Sequence, residues 1–297
     1  MFCREVESKY YKKLFDLEVY LRFIVIWELK GRWGMQWKSA LSPSLLEQIE
    51  QKKGSEKSLG YIDYQTHGLL SYCSFSELRD LILGPLWDDC FSKWGAKECI
   101  TADFKRVIAV RNKLAHFRNI TKKDLRNVHY FLEYLEDWSE EYGRLSKYET
   151  KFTLEEFCIN PKYKDDFKTF VKELNLQTVN LKDIEFDMLA SIKGTHFTLT
   201  IDLDERSYSN QNLIKLLSAG SRFLSFVSLS KLGNSTEIFI SLKTPNKNLM
   251  SFIPAIIDIL NDTSDLESSE TIEKKFEKYI SESFLLTDKS LPYQFKK

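Results

Sequence analysis

The stretch FKRVIAVRNKLAHFRNI, residues 104–120, combines apolar helical periodicity, concentrated positive charge and a histidine with polar neighbours. At about 100° per residue, Phe104, Val107, Val110, Leu114 and Phe117 form one apolar stripe, which predicts an amphipathic helix packed in a helical core. Arg111 falls inside that stripe, and Arg118 lies near it at the same pitch. An unpaired buried charge costs several kcal/mol or more. Some partner must therefore answer Arg111, either a counter-charge of this chain or a second subunit.

The sequence on either side predicts the helices that build this core. Residues 6–30 read as one long helix, with Phe15, Val19, Phe23, Ile26 and Trp27 on one side. Leu14, Leu17, Leu21, Ile24 and Val25 widen its apolar surface almost all round, as expected of a central buried helix. Glu18 and Arg22 stand at i,i+4 and can pair. Gly31 and Gly34 end the helix before RWGMQWK, whose Trp33 and Trp37 read as packing residues. A short helix follows over 43–53, with proline in its first turn, and KKGSEKSLG reads as a polar loop. Ser74 and Glu77 have capping-box spacing with Cys73 and Leu78 as the staple, so a helix starts near Phe75. Gly84-Pro85 should break it before a second piece, 86–94, that Gly95 closes. Thr101 and Asp103 are expected to cap the helix of the opening stretch. Thr121 and Asp124 form a further box before a helix to about Tyr142, with Leu125, Val128, Leu132 and Leu135 on its core side.

Composition bounds the rest. A chain of 297 residues, 43% hydrophobic and 14% aromatic, buries a sizeable core. Its 43 basic and 43 acidic residues cancel, so any affinity for a polyanion must be local. Eight basic residues and one acid lie between Lys105 and Arg126, whereas five acids and no base occupy 133–141, which taken alone is the pattern of a dipolar solvated surface. The five cysteines, at 3, 73, 90, 99 and 158, have no CxxC pair and no close Cys/His spacing, so they read as free thiols of a reducing cytoplasm, with no metal site. Residues 1–13 are charged and aromatic, unlike a targeting segment. The apolar run 23–27 is far short of the roughly 18 residues of a membrane span. His67 beside Gly68 reads as a locally hydrogen-bonded or surface residue.

Near 147–153 the texture changes. Residues 186–192 and 195–203 alternate like paired strands about Lys193-Gly194; 210–224 reads as a helix; 225–230 and 236–242 form a second hairpin about Gly233-Asn234; 248–260 and 271–284 look helical. The expectation is an N-terminal up-and-down helical bundle, residues 1–147, followed by a smaller α+β domain, 148–297, with a mostly antiparallel sheet. No glycine-rich phosphate loop, metal-spaced acid cluster or Ser/His/Asp constellation occurs in the second half, so its residues imply no cofactor.

Within VRNKLAH, Arg111 and His116 have Arg-x4-His spacing, and Asn112 follows the arginine. On the third or fourth helix of an all-helical domain, after the FSELRDLIL and LWDDCFSKWG helix pair, this segment resembles the HEPN family over about residues 5–142. The resemblance implies a metal-independent ribonuclease site at Arg111, Asn112 and His116, an assembly in which two copies of the helix meet, and a role as a toxin or abortive-infection effector against phage.

The residue types suit that chemistry. RNA carries its own nucleophile, the 2′-OH, so cleavage needs a proton-handling group and a cation to stabilise the charged transition state. His116 has the intrinsic pKa for the first task and Arg111 the fork of donors for the second. Asn112 can fix the phosphate or orient His116, its i+4 neighbour. Residues five apart stand about 140° apart round a helix, so a two-fold dimer through 104–120 is expected to bring the half-sites together, with Lys105, Lys113 and Arg118 holding RNA phosphates. The α+β half is then expected to bind RNA, a phage-derived trigger, an antitoxin or another regulator. The second reading of the same residues is a noncatalytic HEPN-like module for dimerisation or ligand binding, with Arg111 and His116 a hydrogen-bonded structural pair.

Overall fold

A computed structural model describes residues 4–59, 68–116, 118–146, 150–152, 169, 172–173, 186–193, 195–203, 210–220, 222–229, 235–244, 250–261 and 285–286. His67, Cys3, Cys158, Phe117 and the helix expected over 271–284 lie outside them. Among the described residues the α-helices that come first are α1 (Arg4–Trp33), α2 (Pro43–Ser58), α3 (Phe75–Leu83), α4 (Lys97–Ala115) and α5 (Lys122–Ser146). The strands are β1 (Thr150–Phe152), β2 (Phe186–Lys193), β3 (His196–Leu203), β4 (Leu224–Leu229), β5 (Ser235–Ser241) and β6 (Leu285–Leu286). Helix α6 (Asn210–Gly220) connects the two hairpins, and α7 (Ile253–Asn261) follows the second. The chain is thus a helical half followed by an α+β half.

The helix signals were read correctly at some ends and missed at others. Ser74 and Glu77 form the expected capping box, and Gly84 ends α3. Past Pro85 the chain tightens into a π turn, Trp87–Phe91, and a 3-10 turn, Ser92–Trp94, before Gly95 at φ 149°. The expected loop after residue 53 is instead the last turn of α2, where Ser55 Oγ donates to Gln51 O at 3.0 Å and Ser58 Oγ to Ser55 O at 2.7 Å. Bonding back to carbonyls three or four residues earlier satisfies these hydroxyls inside the helix, so the serines do not compete for the backbone as they would in a turn. Thr101 and Asp103 do not cap α4, which begins a turn earlier after Ala96. The Thr101 hydroxyl is occupied by Lys97 O at 2.6 Å, and Asp103 by Arg106 at 2.8 Å. Phe15, expected on the packed side of α1, is 56% exposed.

Among the described residues the sheet has six strands in the order β1-β2-β3-β5-β4-β6, antiparallel except where β6 lies parallel to β4. Both expected hairpins form: Lys193 pairs with His196 at the end of the first, and Phe226 with Phe239 inside the second. Strands β1 and β6 went unread because two or three residues are too few to show alternation.

One continuous apolar core joins α1, α3, α4 and α5 and extends to Phe226 and Phe239 of the sheet. Trp27 makes the junction. Its ring stacks on Phe226 at 5.1 Å, meets Phe239 edge-on at 5.2 Å and lies 4.3 Å from His196. Buried Lys30 donates to Ser225 O at 2.9 Å with its ammonium over the Phe226 ring, and Ser241 Oγ donates to Gly31 O at 2.7 Å. A Cβ on Gly31 would fall into the Thr195 side chain and against the His196 ring, so glycine is what lets α1 approach β3 this closely.

His196 is fully buried here and its Nε2 meets no partner among the described residues. Burial, and then the neighbouring Lys30 charge, push its pKa down to about 3. The unfolded chain binds this proton near pH 6.5 and the folded chain does not, so the contribution is fully present above about 6.5 and declines as pH falls toward 3. We expect wild-type stability to drop by roughly 1 kcal/mol more per pH unit across that window than the stability of His196→Leu. Parallel urea titrations at several pH values measure it; identical pH slopes would refute it.

Among the described residues no helix is long and apolar enough to cross a membrane. Cys73, Cys90 and Cys99 are free thiols; burial drives Cys73 up to about 12 and raises Cys90 as well, so neither is a ready thiolate.

Candidate functional site at the end of the fourth helix

Helix α4 buries Ile100, Phe104, Val107, Ile108, Val110 and Leu114. Phe104 is the centre of this packing, edge-on to Phe75, Trp94 and Phe131. The periodicity of the opening stretch therefore gave the buried face of α4, with Arg111 at its edge. The partner that Arg111 requires is Glu18 of α1: Arg111 Nε lies 3.5 Å from Glu18 Oε2. Glu18 is 5% exposed and its other oxygen accepts from Arg22 Nη2, the i,i+4 pair expected from sequence. Arg22 Nη2 also donates to Cys73 O at 2.9 Å, tying α1 to the start of α3, while its Nε is buried without a partner among the described residues. Burial lowers the Arg22 pKa despite the opposing pull of Glu18, and the nearby Arg111 cation lowers it further. One carboxylate thus serves two guanidinium groups, leaving the cluster one positive charge in excess.

Arg111 is not spent by this contact. Its side chain is 38% exposed, and among the described residues neither Nη1 nor Nη2 makes a hydrogen bond. The fork that reads a phosphate end-on is therefore still available.

His116 is the C-cap of α4, with φ −103° and ψ 17°, its N–H donating to Asn112 O at 3.1 Å. It is exposed, as are Asn112 one turn earlier and Lys105 two turns before that. At 100° per residue these three share one outward side of the helix, within about 40° of one another. Arg111 is on another side, about 140° from His116, and neither a hydrogen bond nor an ion pair joins the two. The structure therefore gathers Lys105, Asn112 and His116 and sets Arg111 apart, with Glu18.

The other two expected phosphate contacts fare differently. Lys113 Nζ donates to both oxygens of Asp124 at 2.9 Å, so its charge is already answered. Asp124 also accepts from the Thr121 N–H at 2.9 Å and the Thr121 hydroxyl at 2.8 Å, completing the expected box at the start of α5. Partial burial pushes the Asp124 carboxyl up, but the Thr121 and Lys113 hydrogen bonds outweigh it and hold it below its ordinary value. Arg118 does not extend the stripe, because the helix has ended: it is exposed on the link to α5, its N–H donating to Lys113 O at 2.8 Å.

Sequence reading missed Glu18 as the partner of Arg111, although the signal was present. An acid inside the central, largely buried helix and an arginine inside the α4 stripe are complementary breaks in two patterns. Among the described residues no group of three or more His, Cys, Asp and Glu is placed to hold a metal ion. No family model, no curated protein and no solved structure matches the chain.

Proposed function

We propose that this chain is a HEPN-type endoribonuclease that acts as a two-fold dimer and cleaves RNA without a metal ion. The observation that carries the reading is the grouping of exposed Asn112 and His116 at the end of α4, with Arg111 partly exposed on another side of the same helix and the ends of its fork without a hydrogen bond among the described residues. In this reading the RNA 2′-oxygen attacks the adjacent phosphorus as His116 takes its proton. The P–O5′ bond breaks and the 5′-oxygen leaves with a proton from water or from the imidazolium, giving a 2′,3′-cyclic phosphate and a free 5′-OH. Arg111 stabilises the charge that builds on the non-bridging oxygens. Because Arg111 and His116 of one chain diverge by about 140°, the site is composite, with the histidine of one subunit facing the arginine of the other. Lys105 and Arg118 hold the flanking phosphates. The biological setting that goes with this chemistry is a toxin or abortive-infection effector against phage, with the α+β half receiving an antitoxin, a phage-derived trigger or another regulator.

The test is incubation of purified protein with single-stranded and structured RNA in excess EDTA. The expected products end in 2′,3′-cyclic phosphate, from a protein that sediments as a dimer. Complete dependence on added Mg²⁺ or Mn²⁺ would overturn the mechanism.

The Glu18–Arg111 ion pair favours a second reading, in which the chain is a noncatalytic HEPN-like module and Arg111 is a structural cation. Stability and cleavage of an Arg111 variant separate the two.

A further inference from the structure

Five large apolar side chains of the described residues are exposed: Tyr11, Phe15, Met35, Leu59 and Tyr130. Only Tyr11 and Phe15 of these lie one turn apart on one helix, at 55% and 56% exposure. At 100° per residue, Tyr11, Phe15, Glu18 and Arg22 fall within about 60° of one another on α1. The aromatic pair therefore continues the stripe whose Glu18 holds Arg111. Exposed Lys12 flanks it. The spacing is regular as well: Tyr11 to Phe15 is about 6 Å along the helix axis, and Phe15 to Glu18 about 4.5 Å.

We propose that this stripe of α1 is a single-strand RNA platform, with bases stacked on Phe15 and Tyr11 and a phosphate of the same strand on the free Nη fork of Arg111. The proposal deepens the RNA reading above and rests on it for the class of ligand. Two aromatic side chains on the stripe that carries Glu18, beside a guanidinium whose Nη ends make no hydrogen bond among the described residues, form the pairing that single-strand binders use, since every base has a face to stack and every linkage a phosphate to hold. Glu18 acts in it as a positioning residue. It engages Arg111 through Nε, and the two Nη groups, which make no hydrogen bond among the described residues, remain open to a phosphate. A partner protein seated on the same aromatics would need apolar area but not the ring faces, and that difference decides the experiment.

The probe is a fluorescein-labelled unstructured 12-nucleotide strand with 2′-O-methyl riboses, which lack the nucleophile and so report binding apart from cleavage. Phe15→Leu keeps apolar bulk and removes the ring face; Phe15→Tyr keeps the face. We expect Phe15→Leu and Tyr11→Leu each to weaken binding about tenfold and Phe15→Tyr to restore it, with sedimentation unchanged. Equal affinity of Phe15→Leu and wild type, or no binding by wild type, overturns the platform. Conversion of dimer to monomer by Phe15→Ser overturns it as well, assigning the pair to a protein interface. Weakened binding to this probe in a protein that leaves ordinary RNA uncut would keep the platform and refute the ribonuclease.

Discussion

Trp27→Ala is expected to lower stability by about 3–5 kcal/mol and to leave the helical half and the sheet melting together at the lower value. The indole is 3% exposed and packs against Phe23 of its own helix and His196, Phe226 and Phe239 of the sheet. Truncation leaves a cavity walled by both halves, and the Lys30 and Ser241 hydrogen bonds hold those walls apart against collapse. The same geometry predicts the fate of the isolated helical half. A chain ending at residue 147 presents Phe23, Trp27 and the buried Lys30 to water as one patch, and it should aggregate. Urea unfolding followed by hydrogen exchange at α5 and at β3 measures the coupling. Two separate transitions, or a soluble folded fragment of residues 1–147, would show that the junction contributes little.

That junction also marks where sequence stopped being legible. Short-range patterns read well: the capping boxes at Ser74 and Thr121, the break at Gly84-Pro85, the α4 stripe and both hairpins depend on neighbours within a few residues. The uniform apolar surface of α1 correctly marked a central helix, but it could not say that the side bearing Trp27 faces a sheet nearly 200 residues later in the chain. Phe15 was misread for a related reason. Periodicity assigns a residue to a face, and only tertiary packing decides whether another element covers that face. At the candidate site the spacing of Arg111, Asn112 and His116 was visible, and so was their divergence round the helix. What no spacing could supply was Glu18, contributed by an element 93 positions earlier. Lys113 shows the converse: its charge counted toward a basic cluster until Asp124, noted only as a cap, proved to hold it.

Glu18→Ala is expected to destabilise the fold by about 3–5 kcal/mol, because it strands the largely buried Arg22 guanidinium without its carboxylate. Arg111→Ala should cost under about 1 kcal/mol, since that ion pair is longer and its arginine is open to solvent screening. The asymmetry is what makes the functional test clean. If Arg111 serves RNA, the Arg111→Ala chain melts nearly as wild type while cleavage falls about 10²–10³-fold, the usual loss for one charge-stabilising group. Arg111→Lys should recover little of that activity, since an ammonium has the charge without the fork. His116→Ala, exposed at the helix end, should be equally silent in stability and equally damaging to cleavage. Mixing Arg111→Ala chains with His116→Ala chains should then restore a fraction of the activity, because a composite site in the heterodimer keeps one intact arginine–histidine pair. A melting series in which Arg111→Ala costs as much as Glu18→Ala, with RNA untouched by any variant, would instead establish Arg111 as a strut between α1 and α4.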